Sequence, residues 1–167
     1  MAWTPTKAII TARAIPQNLL TWVTDADRQA DALTWAGGQG YKAIKTFSQS
    51  VANRTVPVYP AIAFSDDNDL QDFGDDLIAG GYSCVLEVSI QNANPDTAVT
   101  QARIYAEAIV SMIVNCTTLS TDTGADLVTI QQIEVGFEQI KSNEKQNDFL
   151  QQFQIRVTCL LHAGSFE

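Results

Sequence analysis

Two periodicities alternate along the chain. From Pro16 the apolar residues Leu19, Leu20, Trp22, Val23, Ala26, Ala30 and Leu33 recur at three- and four-residue spacing, the period of one helix face. Pro16 suits a first helical turn and Gly37-Gly38 supplies a stop, so the pattern predicts a helix between them. Residues 41–49 carry Tyr41, Ala43 and Phe47 in rough alternation, a possible strand. Residues 56–64 read as an extended segment at an edge or strand start, because Pro57 and Pro60 cannot donate to a ladder. Cys84, Leu86, Val88 and Ile90 then alternate with Val85, Glu87, Ser89 and Gln91, a half-buried strand.

Asn94-Pro95-Asp96 opens the clearest helix. Asn94 can cap, Pro95 fits the first helical position, and Asp96 favours the positive end of the dipole. Val99, Ala102, Ala106, Ile109 and Ile113 form its apolar stripe, and Asn115 should end it. The last 40 residues read as a long hairpin. Val128 and Ile130 share one alternation phase while Ile133, Val135 and Phe137 share the other, so the slip at Gln131-Gln132 predicts a bulge. Phe149, Phe153, Ile155, Val157, Cys159 and Leu161 mark the inner face of the final strand, with Gln151 as its exception. Ile133, Val135, Phe137, Phe153, Ile155 and Val157 are the expected sheet core, and 141–148 the polar connection. Each arm runs roughly 45 Å at about 3.4 Å per residue, longer than a typical strand, and overhanging edges pair with other chains unless guarded.

These elements predict an α+β fold: a mixed, largely antiparallel sheet with a long C-terminal hairpin packed against two main helices. One domain of residues 1–167 is expected, with a helical part over 1–40 and a sheet-plus-helix core over 41–163. Composition narrows the function. Ten Lys and Arg face 19 Asp and Glu, a net charge of −9, which argues against nucleic-acid binding and against docking on anionic lipid. The longest apolar runs fall short of a membrane span, and the first seven residues lack the apolar region of a secretion signal. Cys84, Cys116 and Cys159 are widely spaced and read as small buried hydrophobes of a reducing compartment.

Candidate chemistry is sparse. His162 is the sole histidine and has no acid or nucleophile at recognisable spacing, a poor base for a hydrolase. Gly37-Gly38-Gln39-Gly40 lacks the spacing of a phosphate loop and reads as a turn. No catalytic residue, cofactor site or metal site is assigned. The acidic stretch holding Asp66, Asp67, Asp69, Asp72, Asp75 and Asp76 fails the calcium-loop pattern: starting at Asp69 puts Gly74 at position 6 but Phe73 at 5 and Gly80 at 12. It reads as a solvated acidic face, with a charged contact surface as the alternative. Lys141, Ser142, Asn143, Glu144, Lys145 and Gln146, at the hairpin connection, are candidate interface residues beside the plain reading of a flexible tip.

The order of elements resembles the tail-terminator and neck proteins of long-tailed bacteriophages. The likeness rests on Val56-Pro57-Val58-Tyr59-Pro60-Ala61-Ile62-Ala63-Phe64, similar to that family's first core strand, and on Leu86-Glu87-Val88-Ser89-Ile90, similar to its central strand. Asn94-Pro95-Asp96, Ala102-Arg103-Ile104-Tyr105 and the closing Ile155-Arg156-Val157-Thr158-Cys159 extend it over residues 15–162, although residues 36–55 make a longer front end than the family's. The resemblance implies a virion protein assembled in the host cytoplasm, with no enzymatic activity. It implies a homo-oligomeric ring, usually of six copies, at the head-proximal end of the tail. There it would end tube growth and join tail to head, touching the tail tube protein, the sheath where the tail contracts, and the neck or connector proteins. DNA would pass through the channel without specific binding, and the aspartates listed above are candidates to line it. A head–tail adaptor or stopper, and a small acidic ligand-binding module, are the alternative readings.

Overall fold

The computed structural model describes residues 7–48, 58–67, 79–116, 128–143 and 147–162. In chain order these form helices α1 (Lys7–Thr24) and α2 (Ala26–Trp35), strands β1 (Thr46–Ser48), β2 (Ala61–Asp67) and β3 (Ala79–Asn92), helix α3 (Pro95–Val114), and strands β4 (Val128–Phe137), β5 (Lys141–Asn143) and β6 (Asp148–His162). The strands make one sheet of order β1-β2-β3-β6-β4, with β5 pairing β6 beyond the end of β4. β1 runs parallel to β2 and every other pairing is antiparallel. The fold is α+β with a mixed, largely antiparallel sheet, as the periodicities predict.

Helix α3 lies across β6 and β3, α2 packs on α3, and α1 reaches α3, β6 and β2. The helices therefore share one face of the sheet. Into that face point Cys84, Leu86, Val88 and Ile90 of β3, and Phe153, Ile155, Val157 and Cys159 of β6, all buried. Pairing of Leu86 with Ile155 and of Val88 with Phe153 stacks the two rows side by side at the centre of the core. Gln151 is also buried on this face, as its place in the alternation required.

Helix α3 begins where the sequence places it. The Asn94 side chain accepts a hydrogen bond from the Thr97 N–H, Pro95 occupies the first turn, and Asn115 ends the helix. Its buried stripe includes Ala102, Ala106, Ile109 and Ile113, with Ala98 rather than the half-buried Val99 at its start. The bulge is likewise where the phase slips: the β4–β6 register shifts between Ile130 and Gln132.

The N-terminal helix differs from expectation in two ways. It begins by Lys7, so Pro16 sits inside α1 and not in its first turn. An interior proline removes a hydrogen bond and costs about 3 kcal/mol in an isolated helix. Here burial of Ile15, Leu19 and Val23 along the same face offsets that cost. The helix also breaks at Asp25, whose side chain caps α2 by accepting from the Arg28 N–H at 2.9 Å. The apolar period runs through the break because α1 and α2 both pack on α3. Trp22 of α1 donates its indole N–H to the Met112 carbonyl at 2.7 Å, satisfying an acceptor in the last turn of α3.

Two further corrections concern the hairpin. Val135 and Phe137 belong to the helix-facing side, paired with Ile155 and Phe153, yet they are 40% and 49% exposed and are not core. Ile133 is half-buried against the core. β4 is the sheet's outer strand, and α3 sits mainly over β6 and β3 and only grazes β4, so the layer leaves Val135 and Phe137 uncovered. The connection is also shorter than 141–148. Lys141, Ser142 and Asn143 form β5, paired with Leu150, Phe149 and Asp148.

Candidate assembly surface

The sheet leaves β4 as an outer strand with no partner on its far side among the described residues. Its backbone direction follows from one bond beyond its end: the Glu138 N–H donates to the Gln152 carbonyl at 3.0 Å. Hydrogen-bonding direction alternates along an antiparallel strand. Gln132, Glu134 and Gly136 therefore point their N–H and C=O groups at β6, and Ile133, Val135 and Phe137 point theirs away from the sheet. Two of these three, Val135 and Phe137, carry uncovered apolar side chains, and Ile133 is half-buried. Phe137 leans on the buried Phe153, ring centroids 5.5 Å apart. The edge thus offers unpaired backbone groups and apolar surface continuous with the core, the combination that templates pairing with another chain.

Polar side chains hold the arm beyond β4. Lys141 Nζ lies 2.9 Å from Glu138 Oε2 and donates to Gln152 Oε1, also at 2.9 Å. Gln152 Nε2 in turn donates to Glu87 Oε1 and Ser89 Oγ. Glu87 and Gln152 lie on the sheet face away from the helices, where alternation predicts solvent, but both are buried. Their long side chains lie along the sheet and bond each other. On the helix side Gln151 Nε2 donates to the Glu138 carbonyl at 2.6 Å; on the opposite face Gln91 Nε2 donates to Asp148 Oδ2 at 2.8 Å near the tip. Asn147 turns the chain into β6 with φ 56°, a left-handed conformation that asparagine tolerates.

Of the candidate interface residues, Lys141 and Ser142 are exposed on β5, and Asn143 joins them in the strand. Glu144, Lys145 and Gln146 lie outside the described residues. Asp66 and Asp67 belong to β2, opposite Cys84 and Ser83. Asp69, Asp72, Asp75 and Asp76 lie outside the described residues. His162 ends β6, opposite Ala79. Sequence reasoning missed Glu138 and Gln151 as the pair that fixes the arm, although the lone polar residue on the inner face of β6 was their visible signal.

Cys84 and Cys159 are fully buried and Cys116 is partly so; none of the three is in a disulfide. Burial, then the neighbouring Cys116, pushes the Cys159 thiol from 9.0 up to about 12. Burial, then Tyr41, pushes the Tyr105 hydroxyl from 10.0 up to about 12. The Tyr105 O–H donates to the Lys42 carbonyl at 2.6 Å, and its ring stacks on Tyr41 at 5.8 Å. Both folded-state values exceed the unfolded ones, so their contribution is intact below about pH 9 and is lost as pH rises toward 12. Urea midpoints should fall steadily between pH 9 and 11.5, and Tyr105→Phe should flatten the upper part of that decline. A midpoint independent of pH over this range refutes the assignment.

Among the described residues no group of three or more His, Cys, Asp or Glu side chains could hold a metal ion. Among the same residues no helix is long and apolar enough to cross a membrane. Compared with known protein families the sequence matches none, and no curated protein matches it.

Proposed function

We propose that this chain is a structural virion protein: a subunit of a homo-oligomeric ring, of about six copies by the resemblance, at the head-proximal end of a phage tail. Its role there is to stop tube growth and to join tail to head. The observation that carries the reading is β4, an outer strand with outward backbone groups and with Val135 and Phe137 uncovered. A subunit that works by contact needs such a surface, and for a monomer that works alone it is an aggregation liability. The α+β order, with a capped α3 between the central strand and the closing strand pair, supports the resemblance drawn from the sequence. The net charge of −9 suits a channel through which DNA slides without binding. The tail tube protein and the neck proteins are the partners this reading requires.

Cryo-electron microscopy of the particle whose genome encodes the chain tests the proposal. The expected result is a ring of this subunit seated on the last tube ring. Particles carrying Phe137→Asp should accumulate filled heads and unjoined tails while the isolated protein keeps its wild-type circular dichroism. A map without this chain at the junction overturns the reading, and a ring one layer nearer the capsid reassigns it to an adaptor or stopper.

A further inference from the structure

We infer that the free protein hides the β4 edge against a second copy of itself, as a two-fold dimer centred on Val135. The inference concerns the protein before assembly and rests on the β4 geometry, not on the ring. The usable edge is short and bounded. The register shift between Ile130 and Gln132 interrupts it on one side, and the strand ends after Phe137, where Glu138 still bonds Gln152. The uninterrupted run is residues 132–138, and its midpoint is Val135.

A two-fold axis through that midpoint, perpendicular to the sheet, pairs the strand with itself in antiparallel sense and keeps both helix layers on the same side. Val135 then faces the partner's Val135, and Ile133 faces the partner's Phe137. These are the residues whose N–H and C=O groups point outward, so each pair becomes a hydrogen-bonded pair. On the helix side the two rows, exposed Val135 and Phe137 with half-buried Ile133, meet as an apolar ladder of aromatic and β-branched pairs. On the opposite side Glu134 faces the partner's Gly136, whose Cβ position has open space around it. Gln132 faces the partner's Glu138.

Neighbouring registers fail. Centring on Glu134 sets that carboxylate against its own copy, and centring on Gly136 sets Glu134 against Glu138; like charges directly opposite destabilise a sheet pair. Among the described residues the other sheet edge, β1, has three residues and does not cover this run. A head-to-tail contact of β4 on β1 therefore leaves most of the outward groups unpaired, whereas the two-fold pairs them all. The occupant the edge fits best is its own copy, and the dimer is a guard that must open before β4 can serve a ring.

The test is cross-linking of the full chain. In Val135→Cys the two introduced thiols sit directly opposite across the axis, with a Cα separation of about 5.5 Å, within disulfide range. Mild oxidation should give a covalent dimer. With both variants made in a Cys116→Ser background, because Cys116 is only partly buried, Thr129→Cys, exposed on the same strand but beyond the bulge, should give none, and neither should the parent, whose Cys84 and Cys159 are buried. Sedimentation velocity of the wild type between 1 and 100 μM should show a monomer–dimer equilibrium. Phe137→Asp, an exposed site that leaves folding intact, should weaken it at least about thirtyfold. A wild type that stays monomeric at 100 μM, or equal cross-linking of the two cysteine variants, overturns the inference. The ring reading fails separately, when the chain is missing from the head–tail junction; a dimer in solution does not rescue it, and a monomer does not refute it.

Discussion

Phe153→Asp should yield no soluble folded protein. Phe153 is fully buried at the centre of β6, between Val88 on β3 and Phe137 on β4. Truncating a buried phenylalanine to alanine costs about 3–5 kcal/mol, from lost transfer energy and the cavity left behind. Aspartate adds the cost of a carboxylate with no cation near it in the core, and it escapes part of that cost only by taking up a proton. The sum approaches or exceeds the whole stability of an ordinary domain, about 5–15 kcal/mol. Phe153→Leu is the matched control. It keeps an apolar side chain at the site and should cost about 1.5 kcal/mol while leaving circular dichroism unchanged. Recovery of Phe153→Asp as folded, soluble protein refutes the inward orientation of Phe153, and with it the phase of the whole strand.

That phase was legible because a strand buried on one face writes its orientation into every second residue. The same holds for β3, where Cys84, Leu86, Val88 and Ile90 are all buried, and for α3, where Asn94, Pro95 and Asp96 act through local geometry that needs no tertiary partner. The bulge was legible for a related reason: two alternation phases cannot share one ladder without an extra residue.

Strand order was not legible, and it decides the candidate surface. Ile133, Val135 and Phe137 have the same alternation as Phe153, Ile155 and Val157, but alternation reports which face a side chain takes, not whether a helix covers that face. The outer position of β4 leaves Val135 and Phe137 of that predicted core row exposed, with Ile133 half-buried. Pro16 was misread because local preference puts proline in a first turn, whereas the burial of Ile15, Leu19 and Val23 carries the helix through it. The aspartates from Asp69 to Asp76 lie outside the described residues, so their placement rests on charge and composition.

Gln29→Leu should be the costliest change outside the apolar core. Gln29 looks like one more polar position on a surface helix, yet it is buried, and its side-chain amide pairs with the backbone of Ile44 as a strand would. Its Oε1 accepts from the Ile44 N–H at 2.6 Å and its Nε2 donates to the Ile44 carbonyl at 3.2 Å. Leucine fills the volume and strands both backbone groups in a dry site. At about 1–3 kcal/mol for each of the two buried groups left unpaired, the loss should be about 2–6 kcal/mol, read from urea midpoints. Gln29→Glu separates this account from simple packing. Ionised, the carboxylate still accepts from the Ile44 N–H but repels the Ile44 carbonyl. Protonated, it restores both bonds. Burial raises its folded pKa above the unfolded value of about 4.3, so the folded state binds the proton more tightly, and the variant must gain stability as pH falls through the folded value. Between pH 8 and 5.5 Gln29→Glu should therefore recover toward wild type while Gln29→Leu keeps a constant deficit. A leucine variant within about 0.5 kcal/mol of wild type, the scatter of an ordinary surface substitution, sinks the account, as does a glutamate deficit that ignores pH. The segment at stake runs from Gly38, where an added Cβ would meet Ile104 Cγ2 at 2.7 Å, through Lys42, whose carbonyl holds Tyr105, to β1. Gln29 of α2 and Tyr105 of α3 together tie this segment to the helical layer.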